Sequence, residues 1–283
     1  MNDPADAPEP VAQGVTSAGE DLLPKKRPEP TPLQHEQPAL SHERSFRLTV
    51  VIPVYNESAT IHELVRRVVT ANVPPGVVKE IICVNDASTD GTAARLDELP
   101  TLFPSVPIRV LHQPTNRGKG AALRTGFAAA SGDIILIQDA DLEYDPADFP
   151  TLLEPIVEDR ADVVYGSRFI GSEPHRVHYF WHSVANRLLT LLSNMMTNLN
   201  LTDMEVGYKV FRASVLRRIP PLRCDRFGFE PEVTAKIARL RPRVRVYEVG
   251  ISYHGRSYEE GKKITWVDGV KAVLTIIRFR VWK

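Results

Sequence analysis

Apolar residues run from Leu48 to Val54 (LTVVIPV), rich in β-branched side chains, which predicts a short strand buried on both faces. The period then changes. Ile61, Leu64, Val65 and Val68 share one side of a helix, and Thr60 with Glu63 has capping-box spacing at its start. The alternation repeats. Strands are predicted at 80–84 (EIICV), 108–111, 133–138 (DIILIQ) and 162–165 (DVVY). Between them lie a short helix after Asp90-Gly91, a helix over 121–130, and one started by Asp145-Pro146 with proline at its first position. Strand and helix in regular turn predict an α/β fold: a doubly wound, mainly parallel sheet with helices on both faces.

The second half is less regular. It predicts a helix of mixed polarity over 176–198, a strand at 208–211, a helix over 229–240, a strand over 244–253 and a final amphipathic helix over 265–283. In the last, Val267, Val270, Leu274, Ile277 and Val281 recur at helical spacing. Trp266, Phe279 and Trp282 add aromatic surface and Lys271, Arg278, Arg280 and Lys283 add charge, so this helix suits an anionic membrane interface. Packing against the sheet with the cations reaching outward explains the pattern equally well.

Composition sets the boundaries. Residues 1–45 hold eight prolines and no Phe, Tyr or Trp, too little apolar surface to offset the entropy of ordering, so they are expected to be a disordered tail. The tail carries a net −4 and the stretch from Arg241 to Lys283 a net +6, although the whole chain is neutral. The expected division is a tail over 1–45, a catalytic domain over 46–263 and a basic amphipathic helix over 264–283. Two cysteines, Cys83 and Cys224, provide no disulfide framework. With no basic-then-apolar leader and no run of about 20 apolar residues, the expected location is cytoplasmic, or peripheral on the inner face of the membrane.

Ligands of such sheets bind at the carboxyl ends of the strands, and the polar clusters fall there. Tyr55-Asn56-Glu57 follows the first strand and Asp86-Ala87-Ser88-Thr89-Asp90 the second. Asp86 can accept from a base N–H and Glu57 can take ribose hydroxyls; helix capping by Asn56, Ser88 and Asp90 is the plainer alternative. No Gly-x-Gly-x-x-Gly or Walker sequence is present, which disfavours a dehydrogenase or P-loop enzyme. Asn116-Arg117-Gly118-Lys119-Gly120 opens a helix where Lys119 can approach phosphate. The sharpest feature is Asp139-Ala140-Asp141, directly after the fourth strand. Residues two apart in extended chain point to one side, and two such carboxylates call for a cation. Mg2+ or Mn2+, shared with diphosphate oxygens, satisfies them, with Glu143 as a further oxygen donor. Arg168, Arg256, Lys262 and Lys263 suit phosphate. His175, His178 and His182 lack metal-ligand spacing with cysteine.

Taken in order, VIPVYNE (51–57), VNDASTDGT (84–92), NRGKGAAL (116–123), DADLEYD (139–145), GSR (166–168), LTDMEVGYKVFR (201–212), FGFEPEVTAKIA (227–238) and YEVGISYHGRSYEEGKK (247–263) resemble the family 2 glycosyltransferases, in particular the dolichyl- or polyprenyl-phosphate sugar synthase branch. The resemblance implies the glycosyltransferase A fold and inverting transfer from a nucleotide sugar of the GDP-mannose or UDP-glucose type to a lipid phosphate. It implies donor-binding roles for Pro53, Tyr55, Glu57, Asp86, Lys119, Asp139, Arg256 and Lys263. Asp139, Asp141 and Glu143 become metal ligands, and Arg168 and Asp203 lie beside the acceptor. For a hydroxyl acceptor, Asp203 is the candidate base. Asn85-Asp86 stands where many members have Asp-Asp, and the membrane spans many relatives carry at their C-terminus are not found. A glycan hydroxyl as acceptor and a non-catalytic nucleotide-sugar-binding protein are the alternatives.

Overall fold

The computed structural model describes residues 45–171, 179–255 and 266–281. All but the last residue of the predicted tail lies outside the described residues, as do Arg256, Lys262 and Lys263. In chain order the elements are β1 (Phe46–Val54), α1 (Ile61–Thr70), β2 (Val77–Asn85), α2 (Thr92–Leu102), β3 (Ile108–His112), α3 (Lys119–Ala129), β4 (Ile134–Ile137), a 3-10 turn (Pro146–Asp148), α4 (Phe149–Val157), β5 (Val163–Ser167), α5 (Phe180–Thr197), β6 (Lys209–Arg212), α6 (Ala213–Arg218), α7 (Phe229–Arg239), β7 (Val246–Gly250) and α8 (Trp266–Val281).

The seven strands form one sheet in the order β3-β2-β1-β4-β6-β5-β7. Alternate residues of β2 enter two separate apolar clusters: Ile81 and Cys83 one, Ile82 and Val84 the other, with Ala122 of α3. Both faces of the sheet are therefore covered, as the unbroken apolar runs predict. β6 runs antiparallel to both neighbours, β4 and β5. Its direction follows from the chain path. The segment 198–208 stays at the carboxyl edge, where Gly207 abuts Asp139, so the next strand must run back.

Two local readings are corrected, and one short helix is added. The capping box is not formed: Thr60 makes no cap bond, and Glu63 is drawn off by Arg66 and Arg67, each at 2.7 Å. The Thr60 hydroxyl instead lies 2.8 Å from Glu57 Oε2 and 3.0 Å from the Ala140 carbonyl, which ties the start of α1 to the loop after β4. α6, only six residues long, is too short for the pattern to reveal. In α8 the buried face is Ala272, Ile276 and Phe279, while Leu274 and Ile277 of the predicted stripe face outward. The helix packs on α5 and α7, with the Lys236 ammonium 5.2 Å from the Phe279 ring. The Asp145-Pro146 start holds: Asp145 Oδ1 accepts from Ala147 N at 3.0 Å. Cys83 and Cys224 are both free thiols.

Candidate active site

Three loops at the carboxyl edge, after β1, β2 and β4, make one floor. Asn56 N donates to Ser88 Oγ at 3.0 Å, and Asn56 Oδ1 accepts from Thr89 N at 2.8 Å. Glu57 N donates to Thr92 Oγ1 at 2.9 Å. Each loop has one non-glycine residue in the left-handed region: Asn56, Ala87 and Leu142. For Ala87 and Leu142 this costs about 1–3 kcal/mol each, strain that collects at functional sites. Pro53 sits near the end of β1 opposite Val84, and Pro53 and Tyr55 are both half-buried.

Asp86 is buried, and its carboxylate accepts from Arg117 N at 2.9 Å and Gly118 N at 2.6 Å. It therefore anchors the loop that opens α3. Gly118 has a φ of 99°, and a Cβ there would strike Asp225 and Arg226, so only glycine fits. The turn delivers Lys119 inward. Its ammonium lies 2.8 Å from Asp139 Oδ1 and 3.1 Å from Glu230 Oε1. Burial works against that charge, but Asp139 and then Glu230 outweigh it and hold the ammonium well above the ordinary lysine range. Glu230, on the first turn of α7, was not singled out in the sequence; its partner is 111 positions away, and no local pattern marks the pair.

Asp139 is seated by three neighbours. Gln138 Nε2 donates to its carbonyl at 3.1 Å. A Cβ on Gly207 would overlap its carboxylate and the Tyr144 ring. Tyr144 Oη accepts from Gly207 N at 2.9 Å. Asp141 Oδ1 accepts from Glu143 N at 3.2 Å, and Glu143 Oε2 accepts from Tyr253 Oη at 2.7 Å. The expected trio of Asp139, Asp141 and Glu143 is not drawn together: among the described residues no three His, Cys, Asp or Glu side chains form a metal cluster. The positive neighbour of Asp139 is Lys119. Two carboxylates in one loop still fit a hard cation that takes its remaining oxygens from a diphosphate, as Mg2+ commonly does.

Opposite this floor, Arg168 at the end of β5 grips Asp203. Its Nε donates to Oδ2 at 2.6 Å, its Nη2 to Oδ1 at 2.8 Å, and its backbone N to Oδ2 at 3.2 Å. Asn186 of α5 adds a bond to Oδ1 at 3.1 Å. Asp203 is 0% exposed. Burial works against its charge, but Arg168 outweighs it and holds the carboxyl below its usual range. A carboxylate so engaged is a poor proton acceptor, which weighs against Asp203 as the candidate base. The guanidinium also lies 5.3 Å from the Tyr253 ring. Near both Asp203 and Glu230 lie Glu205 and Lys209, which fall within the quoted 201–212 segment but receive no role from the sequence.

The description of Glycosyl transferase family 2 matches residues 49–219. The chain belongs to glycosyltransferase family 2. It is 32% identical over 242 residues to an undecaprenyl-phosphate mannosyltransferase of Micrococcus luteus, covering 83% of this chain and 94% of that one. It is 27% identical over 219 residues to a dodecaprenyl-phosphate galacturonate synthase of Rhizobium johnstonii, covering 77% of this chain and 62% of that one. In fold it is similar to glucosyl-3-phosphoglycerate synthase of Mycobacterium tuberculosis, solved with Mn2+, UDP and phosphoglyceric acid. The TM-score is 0.61 at 21% identity, over 84% of this chain and 80% of that one. The expected glycosyltransferase A architecture is thereby met.

Proposed function

We propose that the protein moves one sugar from a nucleoside-diphosphate donor to a polyprenyl phosphate, with inversion at the anomeric carbon. The observation that carries this reading is the buried Arg168–Asp203 pair. It sets a fixed cation on the acceptor side and leaves Asp203 unsuited to remove a proton. A phosphate acceptor is already anionic near neutral pH and requires no strong base. Its oxygen attacks the anomeric carbon, the bond to the diphosphate breaks on the far side, and the nucleoside diphosphate departs. The polyprenyl-phosphate activities of the two relatives support the same acceptor class.

On the donor side, Asp86 shapes the loop that presents Lys119, and Pro53, Tyr55 and Glu57 line the nucleoside end. Asp139 and Asp141 would hold Mg2+ or Mn2+, which supplies electrophilic stabilisation of the leaving diphosphate when bound. The charge balance supports that ion. Lys119 is already engaged by Asp139 and Glu230 and Arg168 by Asp203, while Asp141 and Glu143 add carboxylates in the loop that carries Asp139. A diphosphate entering alone is repelled. Arg256 and Lys263 are proposed to add positive charge over the diphosphate.

A lipid acceptor implies contact with a bilayer. No described helix is long and apolar enough to cross a membrane. α5, whose Asn186 reaches Asp203, exposes Trp181 (76%), Leu188, Leu191 and Met195, and α8 exposes Leu274 and Ile277 beside it. Arg187 is the one Lys or Arg in α5, and the helix has no carboxylate. Such a face suits a peripheral position on an anionic membrane, here on its cytoplasmic side.

The decisive experiment is a donor screen with purified protein, Mg2+ or Mn2+ and a short polyprenyl phosphate. The expected product is an acid-labile glycosyl phosphoester. Acid-stable glycosides on hydroxyl acceptors, with no lipid product from any donor, would overturn the proposal.

A further inference from the structure

The segment between α5 and β6 carries Asp203, Glu205 and Gly207 at alternate positions. The first holds the acceptor-side arginine and the last seats Asp139. Glu205 therefore stands where the two sides meet. Its Oε1 is buried with no hydrogen-bond partner among the described residues, and the same holds for Oε2 of Glu230, whose other oxygen meets Lys119. Burial and then the charge of Glu230 push the Glu205 carboxyl up to about 8. Lys209, four residues on, does not close a bond to it: its ammonium donates to the Val206 carbonyl and lies 5.1 Å from the Tyr165 ring. Two acceptor oxygens left unmet in one place are rare in folded proteins and costly, at about 1–3 kcal/mol each. No packing or capping role accounts for them.

We infer that Glu205, with Glu230 behind it, takes hydrogen bonds from hydroxyl groups of the transferred sugar, and that the sugar is neutral rather than a uronic acid. The inference rests on the glycosyl-transfer reading above. During transfer the sugar must lie between the leaving diphosphate at Lys119 and Asp139 and the acceptor phosphate at Arg168, which is where these oxygens are. Hydroxyl donors satisfy them. A sugar bearing its own carboxylate adds a negative charge beside Glu230, whose charge already helps keep the Glu205 carboxyl protonated near neutral pH, and is repelled.

The test uses the full chain with a polyprenyl phosphate and matched donors: GDP- and UDP-linked neutral hexoses, and the UDP-linked uronates. The wild type should turn over a neutral donor and discriminate against uronates by 100-fold or more in kcat/KM. Glu205→Gln should lose about 10- to 100-fold with the neutral donor and narrow the neutral-to-uronate ratio at least tenfold. Affinity for UDP or GDP, which lack the sugar, should not change. Glu205→Ala, with its fold checked by circular dichroism, should narrow the ratio in the same direction. An unchanged ratio in both variants overturns the inference while the glycosyltransferase reading stands. So does an equal loss of kcat with every donor, which makes Glu205 a base. No lipid-linked product from any donor removes both.

Discussion

Asp203→Asn separates a positioning role from a chemical one. The substitution keeps the shape and removes the charge from a site of 0% exposure, where three donor atoms of Arg168 now converge. An amide oxygen retains part of that set. Breaking a buried ion pair costs about 3–5 kcal/mol. Arg168 keeps 15% of its side-chain exposure, so water relieves some of the cost and about 2–4 kcal/mol is expected. At about 2–4 °C per kcal/mol for a domain of this size, the melting temperature should fall by roughly 5–15 °C. The folded carboxyl is depressed, so its contribution is present above the unfolded pKa and is lost as pH falls through the folded one. The gap between wild type and variant should accordingly close in acid. In steady-state kinetics the acceptor KM should rise about 10- to 100-fold, or about 1.4–2.8 kcal/mol, with donor KM unaltered and kcat within tenfold. A general base behaves otherwise, with kcat down about 10²–10⁴-fold and acceptor KM intact. That second pattern, or a variant that melts and works like the wild type, would refute the account of Asp203.

Gly207→Ala should abolish turnover, because the added methyl meets the Asp139 carboxylate and the Tyr144 ring; overpacking should also cost about 1–3 kcal/mol in a thermal melt, and wild-type turnover would remove the proposed seat. Chelation with EDTA should stop the reaction and Mg2+ or Mn2+ should restore it, while Asp141→Ala should stay inactive under both conditions; full activity of that variant excludes the proposed metal position. Leu188→Ser with Leu191→Ser should reduce co-sedimentation with anionic vesicles several-fold without shifting the melting temperature, since both side chains are exposed. Deleting residues 264–283 would not test this cleanly, because Ala272, Ile276 and Phe279 are part of the packed interior.

Legibility in the sequence tracks how local each interaction is. β1 and β4 are short apolar runs, and their burial needs only the sheet around them. The loops after β1, β2 and β4 announce themselves by their place after strands. The capping box failed because Glu63 had two arginines within a helical turn, a competition that spacing alone does not weigh. The outward turn of Leu274 and Ile277 depends on which side of α8 meets α5 and α7. Asp203 reads as a free carboxylate until Arg168 and Asn186 are placed beside it. Glu205 and Glu230 carry no sequence mark of each keeping one buried oxygen without a hydrogen bond; that property belongs to the assembled fold.

The stretch from Asp203 to Gly207 works as a shared crossbar, one end fastened to the arginine proposed to meet the incoming phosphate and the other set against Asp139. On the proposed reading, loading of the two substrates is expected to be thermodynamically linked, each altering the affinity of its partner by the same factor. A change made at the acceptor end for a different lipid carrier is then expected to alter the affinity for the nucleotide as well.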